Sequence, residues 1–470
     1  MSFPDDFFDR GSESFINDDE LKSKVKTCKE YVSAGQTYAC LENIEETIQL
    51  CIEYDFTEDG LYLTDAVLAI APYNSEIWQF KGIFSNNIFD FEEAYKCFNM
   101  ALSLNPSDVE TLINKSIAED NLGMFDDAVL SLKSALALEP NNEEVIFSLG
   151  ILYQRKEKYD YAIGYFRKAI AKDPNYSEAW YELGFCYENT DQLQKALKAY
   201  DRFLELEPYS STGWYNRGII FLRMEKFERA IDSFELSIAI RDDFASVWFN
   251  LGVAFANLNN LNEALTAFGN ASLIDEYDET IWFNLGQVHE DMDNYSEAVI
   301  CYTKALKLDN EFYEAYLALS YCYHLTGKIN SSRKNFKRAI KYSYNTNLTT
   351  RKDPGTEANN LLLQSMIDDK IKALENDPHD LKAAFDLAEV YMRLGNFEEG
   401  LIAYNLCIDI NPANYLPYYG KAKAYFLKEN IQKGIENLKS AIELSSDTIL
   451  QFENDFPGIY SSKIMEYFLK

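Results

Sequence analysis

The sequence predicts an all-α solenoid built from about twelve helix pairs, each 34 residues long. Tryptophan, alanine and proline all recur at this spacing. The five tryptophans are Trp78, Trp180, Trp214, Trp248 and Trp282, separated by 34 residues or by three times that interval. A fixed period of this length is typical of repeat architectures in which each repeat is one supersecondary unit.

The repeat runs from Leu41, taken as position 1, to Thr448 in twelve frames of 34 residues without insertion or deletion. Position 8 is small in the well-formed frames, position 24 is aromatic in most frames, and proline often stands at position 32. Small residues let two antiparallel helices approach closely, large ones fill the gaps beside them, and proline ends the second helix. Each frame therefore predicts helix, turn, helix, turn. We call the two helices of a frame helix A and helix B.

One frame carries almost a complete family signature, in Trp180, Leu183, Gly184, Tyr187, Ala196, Tyr200 and Pro208. On these residues the chain resembles the tetratricopeptide-repeat (TPR) family over about nine tenths of its length. The resemblance implies a right-handed superhelix with a concave groove and a convex back. It also implies that positions 2, 5, 6, 9, 12 and 13 of helix A line the groove.

Five segments are expected. They are a flexible acidic tail at 1–20, a repeat array at 21–346, a degenerate repeat with a bridging helix at 347–380, a repeat pair at 381–448 and a capping helix at 449–470. Pro354 and Gly355 fall inside helix A of the tenth frame, where proline would break the helix. We therefore expect a hinge at Asn345 to Gly355, with a decayed repeat of no special role as the alternative.

Composition argues against several function classes. The net charge of -32 disfavours nucleic acid as a partner. No secretory signal and no apolar run of membrane-spanning length is present, so a cytoplasmic protein without membrane insertion is expected. The eight cysteines lack a C-x-x-C pair, the three histidines stand in different repeats, and no catalytic motif occurs. The sequence thus predicts no metal, no cofactor and no enzymatic activity.

The expected groove lining is aromatic and apolar. The candidate residues at positions 5 and 9 of helix A are Phe147, Tyr181, Phe185, Tyr215, Phe249 and Phe283. Such a stripe either packs adjacent helices together or anchors a ligand, since aromatic side chains are favoured interface residues. The lysines and asparagines with which TPR co-chaperones clamp a partner's terminal carboxylates are missing from these positions, which argues against a chaperone-tail adaptor.

Asparagine recurs at position 6 of helix A, as Asn114, Asn216, Asn250 and Asn284. A side-chain amide can pair with the N–H and C=O groups of an extended peptide whatever its sequence. The arrangement resembles the asparagine ladder in the TPR superhelix of the O-linked N-acetylglucosamine transferase, although the catalytic region of that enzyme is absent here. Hydrogen bonding between neighbouring helices is the alternative. The nearby acids Glu188, Glu290 and Asp291 favour a ligand with basic flanks.

The sequence predicts a basic stripe on helix B of the ninth frame, formed by Arg333, Lys334, Lys337, Arg338 and Lys341. The stripe is either a solvated surface or a docking patch. Taken together, the sequence favours an adaptor that binds an extended peptide or helical segment of a partner protein in its groove. The alternatives are a structural subunit fixed in a larger assembly or self-associating, and a regulator of a separate catalytic chain. The oligomeric state stays open.

Overall fold

The computed structural model describes residues 18–349 and 356–469, and the helices in these ranges number 26, without a β-strand. The predicted all-α class is confirmed. The chain divides into two compact units, which meet in sequence between Arg241 and Asp242. Each unit is a series of consecutive helix pairs.

The first unit contains thirteen described helices. They are α1 (Asp18–Ser33), α2 (Leu41–Glu53), α3 (Thr57–Leu68), α4 (Ser75–Asn87), α5 (Phe91–Leu104), α6 (Val109–Asn121), α7 (Phe125–Leu138), α8 (Glu143–Arg155), α9 (Tyr159–Lys172), α10 (Ser177–Asn189), α11 (Leu193–Leu206), α12 (Ser211–Arg223) and α13 (Phe227–Ile240).

The second unit also contains thirteen described helices. They are α14 (Ala245–Asn257), α15 (Leu261–Ile274), α16 (Glu279–Asp291), α17 (Tyr295–Leu308), α18 (Tyr313–Leu325), α19 (Ile329–Thr349), α20 (Thr356–Asn376), α21 (Leu381–Arg393), α22 (Phe397–Ile410), α23 (Tyr415–Leu427), α24 (Ile431–Leu444), α25 (Asp447–Asp455) and α26 (Lys463–Leu469).

In several frames a short polar residue stands before position 1 and caps the start of helix A. In the second, third and fourth frames the side chains of Asn74, Asp108 and Asn142 accept hydrogen bonds from backbone N–H groups of the first helical turn. Such N-caps satisfy donors that have no partner within the helix. Helix A ends about thirteen residues later, where position 15 takes a positive φ, as at Asp191 and Glu225.

Glycine at position 8 is a packing requirement. A Cβ atom added to Gly184 would lie 2.7 Å from Cε1 of Tyr200, and one added to Gly150 would lie 2.5 Å from Cε1 of Phe166. Both aromatic residues stand at position 24 of the same frame and are fully buried. The cost of glycine in a helix, about 1 kcal/mol relative to alanine, is offset by this close approach of helix A to helix B.

The tryptophans join consecutive frames. The indole N–H of Trp180 donates to the backbone carbonyl of Pro174 at 3.0 Å, and that of Trp214 donates to Pro208 at 2.8 Å. In each case position 4 of one frame bonds to position 32 of the frame before it. The 34-residue tryptophan period therefore reflects a repeated bond between neighbouring repeats.

Two segments of the predicted organisation fall partly outside the described residues. The expected hinge spans 345–355, of which 350–355 lie outside them; α19 ends at Thr349 and α20 begins at Thr356. Of the expected tail, 1–17 lie outside, and α1 begins at Asp18. The hinge and the domain boundaries stay predictions. No helix among the described residues is long and apolar enough to cross a membrane.

Candidate functional site

In the first unit, the aromatic residues at position 5 of helix A pack between helices. The ring of Phe147 lies 5.5 Å from that of Phe166 and 4.9 Å from that of Tyr176. Tyr181 makes an edge contact with Phe203 at 5.1 Å between centroids. These side chains are half-buried. Position 5 thus contributes to the cohesion of the repeats, and its place in a groove wall stays a prediction.

Position 9 offers the accessible apolar surface on the same face. Phe185 is 37% exposed and Ile117 is 43% exposed, while Ile151 between them in the repeat order is half-buried. The ring of Phe185 meets that of Tyr159 edge to face at 6.5 Å. These residues form an apolar strip along helix A of the third, fourth and fifth frames.

Ion pairs between consecutive frames border this strip. Arg155 at position 13 donates to the carboxylate of Asp120 at 2.8 Å, and Asp120 stands at position 12 of the preceding frame. Arg223 approaches Glu188 in the same relation at 3.5 Å. Burial raises the pKa of Glu188, while Arg223 and a hydrogen bond from the hydroxyl of Tyr200 act in the opposite direction. Positions 12 and 13 of consecutive frames are therefore joined by ion pairs.

The position-6 asparagines differ in their bonding. In the first unit, Nδ2 of Asn216 donates to the hydroxyl of Tyr181 at 2.9 Å, and the backbone carbonyl of Asn114 accepts a bond of 3.5 Å from Asn86. In the second unit, Asn250 and Asn284 each donate to a backbone carbonyl of their own helix, four residues earlier, at 2.8 Å. The predicted ladder thus takes part in local bonding, and its contact with a ligand stays a prediction.

In the second unit, Phe249 and Phe283 repeat the packing seen at position 5. Phe249 contacts Phe268 edge to face at 5.5 Å, and the ring of Phe283 lies 4.8 Å from that of Phe312. Tyr215, which belongs to the first unit, lies 6.1 Å from Phe234 within that unit. Each predicted position-5 aromatic therefore has an aromatic neighbour.

The last described residues of the chain pack along α18, helix A of the ninth frame, and Lys463 among them reaches α16, helix A of the eighth frame. An added Cβ at Gly458 would lie 3.4 Å from the ring of Tyr313, at the start of α18. At its other end, the ring of His324 lies 4.7 Å from that of Tyr467. Residues 458–467 therefore run along α18 in the same direction as that helix.

A buried carboxylate is paired with this segment. Nζ of Lys463 lies 2.6 Å from Oε1 of Glu290 and 3.4 Å from Oδ1 of Asp291, and the Glu290 side chain is only 7% exposed. The hydroxyl of Tyr302 donates to the other oxygen of Glu290 at 3.0 Å. Although burial acts in the opposite direction, the bond to Glu290 leaves the pKa of Lys463 raised.

The predicted basic stripe lies on α19. Arg333, Lys334 and Lys341 are exposed, whereas Lys337 lies 3.7 Å from a carboxylate oxygen of Glu429. The guanidinium of Arg338 lies over the ring of Tyr316, at 5.5 Å from its centroid. Lys341 lies over the ring of Tyr342 at 5.6 Å from its centroid. The stripe is thus an accessible cationic surface with three of its members engaged, and its role as a docking patch stays a prediction.

Family models of the tetratricopeptide repeat match residues 143–176, 165–198, 215–279, 280–312, 313–346 and 381–414. The chain is a tetratricopeptide-repeat protein. The matches lie in both units, and those over 143–176, 313–346 and 381–414 coincide with frames counted from Leu41. Repeats of this family generally act as scaffolds for protein–protein interaction.

Several solved structures are similar to this TPR chain. The crystal structure of MamA has 27% identity, a TM-score of 0.33, and covers 34% of this chain and 94% of its own. YrrB, described as a TPR protein with an unusual peptide-binding site, has 18% identity, a TM-score of 0.37, and covers 39% and 95%. The C-terminal part of a TPR repeat-containing protein from Cytophaga hutchinsonii has 16% identity, a TM-score of 0.40, and covers 58% and 98%. No curated protein matches the chain.

Sequence reasoning missed a functional pairing that the TPR frame contains. Glutamate at position 12 occurs together with tyrosine at position 24, as in Glu188 with Tyr200 and Glu290 with Tyr302. In the seventh frame, where position 12 is Ala256, position 24 is Phe268. The signal in these frames was the separation of twelve residues between the glutamate and the tyrosine. The bond from Lys463 has no such periodic signal.

Proposed function

We propose that this TPR protein is a non-catalytic adaptor that binds an extended peptide or a helical segment of a partner protein in the groove of its first unit. The observation that carries the proposal is the apolar strip with Ile117 and Phe185 exposed at position 9. Apolar side chains that remain accessible beside a polar rim are the usual form of a peptide-binding surface.

The partner segment has apolar anchors and basic flanks. Position 2 of helix A is glutamate in four consecutive frames of the first unit, at Glu76, Glu110, Glu144 and Glu178. The whole chain carries a net charge of -32. We expect a surface with these glutamates to attract lysine and arginine and to accelerate association with basic segments. Asn114 and Asn216 are proposed to bond the backbone of the same ligand. We place the interaction in the cytoplasm, because all eight cysteines are free thiols.

The test replaces the exposed anchors. A tagged chain captures partners, mass spectrometry identifies them, and calorimetry measures the affinity of each purified partner. The double variant Ile117→Ala with Phe185→Ala should bind at least ten times more weakly with an unchanged melting temperature. Tyr209→Ala is the matched control, because Tyr209 is 84% exposed but lies outside the groove positions. Equal affinity of the double variant and the control would refute the proposal.

The competing reading is a structural subunit without an exchangeable ligand, and the exposed leucine at position 22 of helix B gives it little support. In the first unit, Leu130 at position 22 is 63% exposed, but the same position in the adjacent frames is Lys96 and Gly164. An isolated leucine does not make the contiguous patch that a permanent interface needs. A light-scattering mass above that of one 54.2 kDa chain would favour the subunit reading.

A further inference from the structure

The groove face of the eighth and ninth frames, which we define by Glu290, Asp291, Tyr321 and His324, is occupied by α26. These residues stand at positions 12, 13, 9 and 12 of helix A, which are groove positions of the TPR frame. Lys463 contacts the first two, and Tyr467 contacts the last two at 6.0 and 4.7 Å between ring centroids. A helix of this chain therefore sits where a TPR ligand would sit.

The charge pairing shows what this face requires. In the first unit, each position-12 acid that borders the groove is paired with an arginine from position 13 of the next frame, as in Asp120 with Arg155. In the ninth frame, position 13 is Leu325, which cannot pair with Glu290. Lys463 supplies the missing cation instead. A buried carboxylate without a cation is costly, so this face selects a ligand that carries one.

Aromatic contacts supply the other half of the recognition. The ring of Phe468 lies 4.8 Å from that of Phe336, and the ring of Tyr467 makes tilted contacts with those of Tyr321 and His324. The occupant thus presents a lysine followed at the fourth and fifth residues by two aromatic rings. On a helix, the lysine and the residue four places later lie on one face, which matches the spacing of the acids and rings below it.

The segment before α26 is held by contacts that do not involve α26. Asp455 accepts hydrogen bonds from the hydroxyl of Tyr419 at 2.6 Å and from Lys423 at 2.8 Å. Glu453 accepts from the backbone N–H groups of Gly458 and Tyr460, which fixes the turn that precedes α26. The exchange of α26 can therefore leave α25 and this turn in place.

We propose that the groove face of the eighth and ninth frames is a second binding site, for a partner helix with a lysine followed at +4 and +5 by aromatic residues, and that α26 occupies it in cis as a competitor. This rests on the proposed function of the TPR groove and adds to it a partner chemistry and a mode of control. A segment tethered by a short linker has an effective concentration on the order of millimolar. If the α26 segment itself has an intrinsic Kd of about 10 μM for this face, it weakens the binding of a partner segment by roughly 100-fold.

The experiment uses a fluorescent peptide of residues 456–470 of this chain as the probe and measures its anisotropy with full-length protein. The variant Tyr467→Ala with Phe468→Ala weakens the cis contacts and keeps Ile464 and Met465, which are fully buried. It should bind the peptide at least ten times more tightly than the unchanged protein. Adding Glu290→Gln to that variant should abolish the increase in peptide affinity. A peptide with Lys463→Glu should bind neither to the double variant nor to the unchanged protein.

Circular dichroism establishes that each protein variant is folded. If the double variant unfolds, Tyr467→Ala alone replaces it, because Tyr467 is 39% exposed and its loss leaves the core intact. Tyr209→Ala, in the first unit, is the matched control and should bind the peptide as the unchanged protein does. The proposal is overturned if the variant with weakened cis contacts binds the peptide no more tightly than the unchanged protein. It is also overturned if adding Glu290→Gln leaves the peptide affinity of that variant unchanged. Because Ile117 and Phe185 are intact throughout, that failure would leave the proposed function of the first unit standing.

Discussion

Nζ of Lys463 lies 2.6 Å from Oε1 of Glu290, although 173 residues separate the two in sequence. The Glu290 side chain is 7% exposed, and its second oxygen accepts a hydrogen bond from Tyr302. The carboxylate therefore has one partner in its own repeat, a second in the thiol of Cys322 from the next repeat, and a third in Lys463 from the far end of the unit. The stability of the eighth repeat therefore depends on Lys463, which lies outside that repeat.

The first prediction concerns this pair. Lys463→Met should lower the free energy of unfolding by about 1–2 kcal/mol, because it leaves a buried carboxylate without its cation; the effect is below that of a fully buried pair because Lys463 stays 60% exposed. Urea unfolding measures it. Lys24→Met is the control, since the Lys24–Glu46 pair is exposed on both sides and its loss should change stability by less than about 0.5 kcal/mol. Equal effects of the two variants would contradict a stabilising role for the buried pair.

The second prediction concerns the tyrosines at position 24. Tyr302→Phe should destabilise the protein by about 1–3 kcal/mol, since Glu290 loses a donor in a buried site. Phe268→Tyr should also destabilise it, because Ala256 at position 12 of that frame offers no acceptor for the added hydroxyl. Both changes are compared by urea unfolding. A stabilising effect of Phe268→Tyr would show that the hydroxyl finds another partner.

The third prediction uses two glycines in helices. Gly184→Ala should destabilise the protein by about 1–2 kcal/mol, because the new Cβ would lie 2.7 Å from Tyr200 and overpack the core. Gly164→Ala should stabilise it by about 0.5–1 kcal/mol, since nothing lies within 4 Å and alanine favours the helix. Thermal unfolding measures the stability of the two variants relative to the unchanged protein. If both variants changed stability in the same direction, close helix packing would not explain why glycine recurs at position 8.

The fourth prediction concerns alkaline pH. Burial raises the pKa of the Cys186 thiol to about 12. An unfolded thiol loses its proton from about pH 8.5, whereas the folded one keeps it, so the contribution of Cys186 is complete below that pH and falls as the pH rises towards 12. The free energy of unfolding should fall by about 1 kcal/mol per pH unit in this range, after allowance for solvent screening. Urea unfolding at pH 8, 9.5 and 10.5 measures the slope, and Cys186→Ala should have a shallower slope than the unchanged protein.

The repeat frame could be predicted from sequence because its causes are local. Position 8 in contact with position 24, and tryptophan bonded to the preceding repeat, involve residues separated by fixed intervals, as with Gly184 and Tyr200. The aromatic groove positions followed from the same frame, but their division between packing at Phe147 and exposure at Phe185 depends on side-chain neighbours. The pairing of Lys463 with Glu290 depends on how the end of the second unit folds back, which no period encodes.

The 173-residue separation of Glu290 from Lys463 also has a consequence for biosynthesis. At about 5–20 residues per second, a ribosome would add Lys463 roughly 10–35 s after Glu290. Asp120 waits only 35 residues for Arg155, or roughly 2–7 s. The repeats of the first unit can therefore complete their ion pairs one after another during translation. The eighth repeat holds an acid without its cation until much later, and over that interval it is open to any basic helix in its surroundings.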